Sequence, residues 1–165
     1  MQPRGSERGR PIPQGLDGFD KAILRALQVD NLISADRLGE QVGLSASAAQ
    51  RRVKRLRADG FIAADVAVLD PRLVGQAATF IVEVTLEREG SAQFEAFKRR
   101  MLAAAEVQQC YYITGDGDFI LIITAANLEE YEKIIERLFF DDKNLKRFRT
   151  SVVLSRVKAS LALPI

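Results

Sequence analysis

Residues 43–58 read Gly-Leu-Ser-Ala-Ser-Ala-Ala-Gln-Arg-Arg-Val-Lys-Arg-Leu-Arg-Ala, and this stretch decides the fold of the first half of the chain. A helix is predicted to begin just after Ser45. It would place Ala49, Val53 and Leu56 on one narrow face, because successive helical residues advance by about 100°. Basic and hydroxyl side chains fan over the opposite arc, and no acidic residue interrupts them. The pattern predicts a helix that packs through one face and presents a positive surface on the other.

Two shorter helical patterns precede this basic helix. Ser34 is predicted to cap a helix that ends at Gly43, where a tight turn requires a positive φ that glycine adopts without steric cost. Residues 17–27 predict an amphipathic first helix. A basic helix by itself more often forms only a solvated surface. Because three short helices with the basic one last are typical of a helix-turn-helix, we predict DNA binding by the third helix.

Composition limits the possible classes of protein. With 165 residues and 47% hydrophobic residues, the chain can form one large domain or two small ones. A net charge of +2 indicates a local basic patch rather than a general coating of nucleic acid. The single cysteine, Cys110, allows no intramolecular disulfide and is typical of a cytoplasmic protein. No apolar run is long enough to span a bilayer, so we expect no membrane partner.

The absence of histidine argues against an enzyme. It removes the commonest general base and the commonest transition-metal ligand. One cysteine without histidine cannot assemble a Cys-His pair or an ordinary zinc site, and no Gly-rich phosphate-binding loop is present. We therefore predict no catalytic residues, no metal site and no cofactor.

The second half of the chain alternates strand and helix patterns. Predicted strands begin near Phe80, Val107, Asp118 and Phe148, the last running to about Lys158, and the helices begin at Ser91 and Asn127. This order is that of a ferredoxin-like βαββαβ fold, in which four antiparallel strands carry both helices on one face. The predicted fold class is therefore α+β, with an N-terminal winged helix-turn-helix. The predicted domains are a flexible arm (1–15), the helix-turn-helix domain (16–70), a linker (71–76) and the C-terminal domain (77–165).

The uncovered face of such a sheet is predicted to be apolar. A large apolar patch cannot stay in water, so we expect a second copy to cover it. Helix-turn-helix modules also usually bind as dimers across two half-sites. Both halves of the chain thus predict a homodimer. The residues expected to supply the uncovered face are drawn from Phe80, Val82, Val84, Ile120, Ile122, Val152 and Leu154.

Several short motifs, in their order and spacing, resemble the Lrp/AsnC family of leucine-responsive, or feast-or-famine, regulators over residues 16–165. The resemblance implies a transcriptional regulator that binds a double-stranded operator and responds to an amino acid. It also implies a C-terminal domain of the RAM type, which forms dimers and often octamers. The motifs are Leu16-Asp17-x-x-Asp20-x-x-Ile23-Leu24, Val42-Gly43-Leu44-Ser45, Arg51-Arg52-Val53-Lys54-Arg55-Leu56, Gly60-Phe61-Ile62, Leu69-Asp70-Pro71, Val107-Gln108-Gln109-Cys110, Thr114-Gly115-Asp116-Gly117-Asp118-Phe119-Ile120-Leu121 and Val157-Lys158.

The resemblance assigns the DNA contacts to one side of the third helix. Arginine can form two hydrogen bonds with the edge of guanine, and glutamine can do the same with the edge of adenine. Serine and lysine more often bind phosphates. The predicted DNA-binding residues are Ser45, Ser47, Gln50, Arg51, Arg52, Lys54 and Arg55.

The predicted effector site centres on the turn after the second strand. An amino acid needs backbone N–H groups for its carboxylate and an acid for its ammonium group, and Gly115, Gly117 and either Asp116 or Asp118 offer both. The same residues are also simply what a hairpin turn requires. The resemblance implies a pocket between protomers that includes the last strand. The predicted effector-binding residues are Thr114, Gly115, Asp116, Asp118, Thr150 and Ser151.

Some features depart from the family pattern, and other functions compete. Gly39 is expected to weaken the second helix by up to about 1 kcal/mol relative to alanine, and residues 139–144 replace the usual link before the last strand. A siroheme-decarboxylase-like enzyme has a similar build but depends on histidine. An RNA-binding domain would display aromatic residues on its middle strands, where this chain is aliphatic. A stand-alone amino-acid sensor would leave the basic helix without a purpose.

Overall fold

The structure of the protein is a computed structural model that describes residues 15–87 and 90–165. Except for Gly15, the predicted N-terminal arm lies outside the described residues. The chain divides into two compact units, one of which is Val68–Lys158. The other contains the residues up to Ala67 together with Ala159–Ile165. The end of the chain thus groups with the helical unit, whereas the sequence analysis assigned it to the C-terminal domain.

The helical unit contains α1 (Gly18–Val29), α2 (Ala35–Val42) and α3 (Ala46–Ala58). Each helix begins where the sequence predicts, because a side chain just before it accepts a hydrogen bond from a backbone N–H of the first turn. Ser34 caps α2 and Ser45 caps α3. The predicted helix-turn-helix order is confirmed.

One apolar cluster holds the three helices together. The predicted inner face of α3 is confirmed, since Ala49 and Leu56 are fully buried and Val53 is 8% exposed. Burying a leucine or isoleucine side chain contributes about 1.5–3 kcal/mol, so packing rather than helix propensity stabilises these short helices. The buried members of the cluster are Ile23, Leu24, Ala26, Leu38, Ala49, Val53 and Leu56.

The turn between α2 and α3 depends on two glycines. Gly43 has a φ of 72°, as predicted for a left-handed turn residue. Gly39 lies where α2 approaches the start of α3, and a Cβ added there would lie 2.6 Å from the backbone oxygen of Leu44. Gly39 therefore has a role beyond the expected weakening of α2. Its missing side chain lets the two helices meet.

The wing predicted after α3 is an extended segment. Residues 63–70 form no strand and no helix. Asp65 is held against the last turn of α3 by Arg57, whose Nε lies 2.9 Å from the carboxylate. This ion pair, with Arg57 as hydrogen-bond donor, lowers the pKa of Asp65.

The second unit is the predicted four-stranded antiparallel sheet with two helices, in the order β2-β3-β1-β4. Strand β4 begins earlier and ends earlier than predicted: it pairs with β1 from Leu145, opposite Leu86, to Val152, opposite Phe80. Beyond Leu154 the register leaves no residue of β1 to pair with, since β1 begins at Ala78. The elements are β1 (Ala78–Leu86), α4 (Ser91–Ala103), β2 (Val107–Tyr112), β3 (Phe119–Ala125), α5 (Leu128–Phe139) and β4 (Leu145–Val152).

The assignment of residues to the two faces of the sheet needs correction. Phe80, Val82 and Val84 were expected on the uncovered face, but they are at most 1% exposed and pack under α4 and α5. Val152 pairs with Phe80 and therefore shares that covered face, and Leu154 lies beyond β4. Period-two alternation identifies two faces but not which one the helices cover, and in β1 both sets contain apolar residues.

The uncovered side of the sheet, which we call the open face, carries the alternate residues. Its apolar centre is formed by Ile81, Ile120 and Ile122, which face the same way in the strand register. Ile81 remains 39% exposed. The predicted open-face members Ile120 and Ile122 are thus in place. Their open-face neighbours by register are Thr79, Glu83, Thr85, Gln109, Tyr111, Arg149 and Ser151.

We predict that Gly39→Ala destabilises the helical unit by about 1–3 kcal/mol, the usual cost of forcing a methyl group into a filled space. This loss should exceed the gain in helix propensity of at most about 1 kcal/mol. Gly18→Ala is the matched control, because a Cβ at Gly18 would meet nothing within 4 Å. Chemical denaturation followed by circular dichroism should show a loss for the first variant only. Equal stability of both would contradict the close approach.

Candidate nucleic-acid interface and effector turn

The outer side of α3 presents polar side chains without an acidic partner. Ser47, Gln50, Arg51 and Lys54 are all exposed, and among the described residues neither basic side chain forms an ion pair. Ser45 differs, because its hydroxyl oxygen accepts a hydrogen bond from the N–H of Ala48 at 3.3 Å. Ser45 therefore fixes the start of α3, and its hydroxyl also shares a hydrogen bond with the Ser47 hydroxyl at 3.3 Å. All four exposed side chains can be reached by a ligand.

The two remaining predicted DNA-binding residues contact acids of α1. Arg52 Nη1 lies 2.6 Å from Asp17 Oδ2 and 2.8 Å from Asp20 Oδ1. Arg55 Nη2 lies 2.5 Å from the other oxygen of Asp20. We call Asp17, Asp20, Arg52 and Arg55 the acid–arginine cluster. It ties the first helix of the module to the third.

The environment of Arg52 is more closed than that of Arg55. The Arg52 side chain is 29% exposed and its guanidinium carbon lies 5.4 Å from the centre of the Phe19 ring, whereas Arg55 is 50% exposed. The backbone N–H of Asp20 and the Arg52 guanidinium, in that order, lower the pKa of Asp17. The hydrogen bond that Arg52 donates to Asp17, followed by the one that it donates to Asp20, raises the pKa of Arg52. Both shifts favour the charged forms of Asp17 and Arg52.

A shallow cavity of about 360 Å³ lies beside α3. Leu44 and Ala48 form its apolar part, and Arg51, Arg52 and Arg55 supply its charge. Three guanidinium groups beside one depression create a positive potential. The surface suits an anionic ligand with a flat or ridged shape, such as a nucleic-acid backbone and base edges.

The candidate effector turn joins β2 to β3. Asp118 closes it from inside: its backbone N–H donates to Val84 O, its carbonyl accepts from Ile113 N, and its carboxylate accepts from Leu86 N at 2.7 Å. The Asp118 carboxylate is therefore engaged in holding the turn to β1. Of the two acids proposed from the sequence, Asp116 is the exposed one.

The tip of this turn is open and has a basic neighbour that the sequence analysis missed. Thr114, Gly115 and Asp116 are exposed, and Gly115 has a φ of 129°. Arg147 of β4 lies close by, with its guanidinium 3.3 Å from Thr85 Oγ1 and 3.5 Å from the carbonyl oxygen of Asp116. The turn thus offers an acid, backbone groups and a guanidinium in one place.

The two effector residues predicted on β4 point in opposite directions. Thr150 faces α5, where its hydroxyl bonds the Tyr131 hydroxyl, and Ser151 lies on the open face. They pair with Val82 and Ile81, which precede the end of β1 that holds the turn. A single chain therefore does not bring Thr150 and Ser151 together with the turn.

Sequence reasoning overlooked the partners of the predicted residues. Asp17 and Asp20 lie in a recognisable motif, but nothing in the linear spacing connects them to arginines more than thirty residues away. Arg147 and Tyr131 were missed for the same reason, since strand register decides which side chains reach a turn. The available signal was the number of basic residues on α3, because Arg52 and Arg55 lie close to the buried face and could therefore meet acids of a neighbouring helix.

Other kinds of site find little support in the described part of the chain. No group of three His, Cys, Asp or Glu side chains there could hold a metal ion. Cys110 packs against the core, and burial raises the pKa of its thiol. None of the described helices combines the length and the apolar content needed to cross a membrane.

Two family profiles together match most of the chain. Residues 16–57 match an AsnC-type helix-turn-helix domain, and residues 79–163 match a Lrp/AsnC ligand binding domain. The two matched ranges contain α3 and the effector turn respectively.

Individual relatives agree with these profiles. A helix-turn-helix-type transcriptional regulator of Sinorhizobium fredii is 47% identical over 150 residues, 91% of this chain and 89% of that protein. The leucine-responsive regulatory protein of Escherichia coli is 34% identical over 145 residues, 88% of each chain. The crystal structure of a transcriptional regulator from Neisseria meningitidis in complex with L-methionine superposes with a TM-score of 0.86 at 26% identity, covering 91% of this chain and 97% of that one. Each is named as a regulator.

Proposed function

Because the chain belongs to the Lrp/AsnC family of helix-turn-helix transcriptional regulators, we propose that it binds operator DNA through α3 as a homodimer and responds to an amino acid at the β2–β3 turn. Residues 16–70 serve as the DNA-binding domain in this proposal. Residues 77–165 serve for effector binding and dimerisation, with 71–76 as the linker. The observation that carries the proposal is the exposed basic side of α3, where Arg51 and Lys54 form no ion pair with any described residue.

Arg51 and Lys54 are the strongest candidates for direct DNA contact. They are exposed and lie three residues apart on one helix face, so both can reach the same groove. An arginine can bond the O6 and N7 atoms of guanine together, whereas a lysine more often holds a phosphate. Gln50 and Ser47 extend the same side toward the start of the helix, where recognition helices usually meet base edges.

The open face supports self-association. Its three isoleucines form an apolar patch in the middle of a sheet whose other face carries α4 and α5, and Tyr111 beside them is 52% exposed. Burying apolar surface contributes about 25 cal/mol per Å², so covering this patch with a second copy is favourable. A symmetric dimer would also present two copies of α3 to two half-sites. The octameric state remains part of the proposal through the resemblance alone.

The effector site is proposed to require two copies of the chain. Asp116 can accept the ammonium group of an amino acid, and Arg147 can pair with its carboxylate. Thr150 and Ser151, which lie apart from this turn in one chain, would have to act from a partner. The Neisseria meningitidis neighbour holds L-methionine, which makes an apolar amino acid the first ligand to test here.

The competing functions have less support. The relatives are named as transcriptional regulators, and a stand-alone sensor would not need an exposed basic helix. A siroheme-decarboxylase-like enzyme would be expected to bind a coloured tetrapyrrole, so an absorbance scan of the purified protein distinguishes it.

Arg51→Ala should weaken binding to the preferred duplex by about 1–3 kcal/mol, because a base-reading contact is lost. Lys54→Ala should weaken binding to every duplex and lower the slope of log affinity against log salt by about 0.9, the value of one phosphate contact. Arg99→Ala in α4 removes the same charge from an exposed site elsewhere and serves as control. Fluorescence anisotropy against a duplex selected from a random library measures all three. Wild-type affinity in both α3 variants would refute the DNA-binding assignment.

Ile122→Glu should convert the dimer to a monomer, since it puts a charge into the centre of the buried patch. Leu102→Glu is the matched control, because Leu102 is 64% exposed on α4. Sedimentation velocity at micromolar concentration should give a dimer for the wild type and for the control. A dimeric Ile122→Glu protein with native circular dichroism would place the interface elsewhere.

Asp116→Ala should abolish the heat of binding of an amino acid in titration calorimetry, because the ammonium partner is removed. Asp141→Ala removes an exposed carboxylate outside the turn and should leave the heat unchanged. L-methionine, L-leucine and L-alanine are the titrants. Absence of heat with the wild type for all three would show that the turn is only structural.

A further inference from the structure

The acid–arginine cluster divides the basic side chains of α3 into two groups. Arg52 and Arg55 both meet Asp20, whereas Arg51 and Lys54 on the neighbouring arc meet no acid among the described residues. The cluster is not needed to explain why α3 is positive, because it reduces the free charge of the helix. Its presence therefore requires a different explanation.

Asp20 is a buried acid that lies against two arginines. Its side chain is 2% exposed. It accepts hydrogen bonds from the Arg52 guanidinium and from the backbone N–H of Asp17, and it forms an ion pair with Arg55. A carboxylate taken out of water is costly unless such charge-assisted bonds replace its hydration. An apolar residue of similar size often stabilises a fold equally well. What the carboxylate adds is a fixed position for the groups around it.

Arg55 has the geometry of a side chain that is fixed and still available. One Nη atom is bound to Asp20 Oδ2 at 2.5 Å, yet half of the side chain is exposed and lines the cavity beside α3. Arg52 is held by two acids and covered by Phe19, so little of its guanidinium remains for a ligand. The two arginines thus differ in what they can do.

We infer that Asp20 is a positioning residue for DNA recognition: it fixes the guanidinium of Arg55 for a contact with the duplex and retains Arg52 as a brace between α1 and α3. The inference rests on the proposed function of α3. A side chain that is already fixed loses less conformational entropy on binding. A fixed guanidinium fork also discriminates more sharply between base edges, because both of its bonds must fit at once.

A positioning role and a purely electrostatic role predict opposite results when the charge of Asp20 is removed. Asp20→Asn makes the module more positive by one unit and keeps an oxygen for the backbone N–H of Asp17. Added positive charge alone strengthens binding to any duplex. If Asp20 positions Arg55, the preferred duplex is bound more weakly while an unrelated duplex is bound equally or more tightly. Loss of folding would weaken both.

The experiment compares a duplex selected from a random library by the wild type with a shuffled duplex of the same composition. Asp20→Asn should lower the affinity for the selected duplex by about tenfold, the effect of losing one base-reading contact, and should not weaken binding to the shuffled duplex. Asp59→Asn loses the same charge from an exposed residue with no ion pair among the described residues. It should keep the ratio of the two affinities.

Arg55 provides the test of how Asp20 acts. In an Arg55→Gln background, Asp20→Asn should cause no further loss for the selected duplex, because a residue that acts through Arg55 has nothing left to position. Arg52→Gln should leave the salt slope at its wild-type value, in contrast to Lys54→Ala. If Asp20→Asn fails to fold, Arg55→Lys carries the test, since it keeps the charge but loses the fork.

An unchanged affinity ratio in Asp20→Asn, or a further tenfold loss in the Arg55→Gln background, overturns the inference. A wild type that prefers no duplex over its shuffled version overturns the proposed function as well, and this result precedes any measurement on a variant. The two failures are therefore distinguishable.

Discussion

A recognition helix must be held firmly through one face while the opposite face stays free, and this requirement governs the helical unit. In α3 the holding face is small: Ala49, Val53 and Leu56 are its only fully or nearly buried side chains. Such a narrow apolar stripe holds the helix by non-directional contacts along one side only. The acid–arginine cluster lies beside the stripe and supplies directional bonds that the apolar contacts lack. Apolar packing and directional ion pairing thus act together to hold the same helix.

The elements of this fold were predictable from the sequence because each depends on nearby residues. Ser34 and Ser45 are helix caps, Gly43 is a left-handed turn residue, and the order of strands and helices follows from local periodicity. The errors arose where a distant element decides. The covered side of β1 and the end of β4 are set by strand pairing and by α4 and α5, which alternation in the sequence does not reveal.

The candidate site shows the same division between local and distant information. The exposed basic side of α3 and the turn around Gly115 could be located from local patterns, and the structure has Arg51, Lys54 and Asp116 exposed. The roles of Arg52 and Asp118 could not, because each is defined by a partner far away in the chain. Gly39 is a further example. Helix propensity describes its effect on α2 alone, whereas the neighbouring backbone determines its effect on the fold.

The proposed dimer and the proposed effector site depend on the same surface, and this has a thermodynamic consequence. A ligand that binds only where two copies meet favours the associated state by mass action. The coupling is reciprocal, so any DNA that favours the dimer also raises the affinity for the effector. Ser151 lies on the open face beside Ile81, and the residues that bind the ligand would therefore be neighbours of those that hold the dimer. In the proposed arrangement, a change in amino-acid concentration would alter DNA binding without any change in α3 itself, because assembly would determine how many copies of α3 meet the operator together.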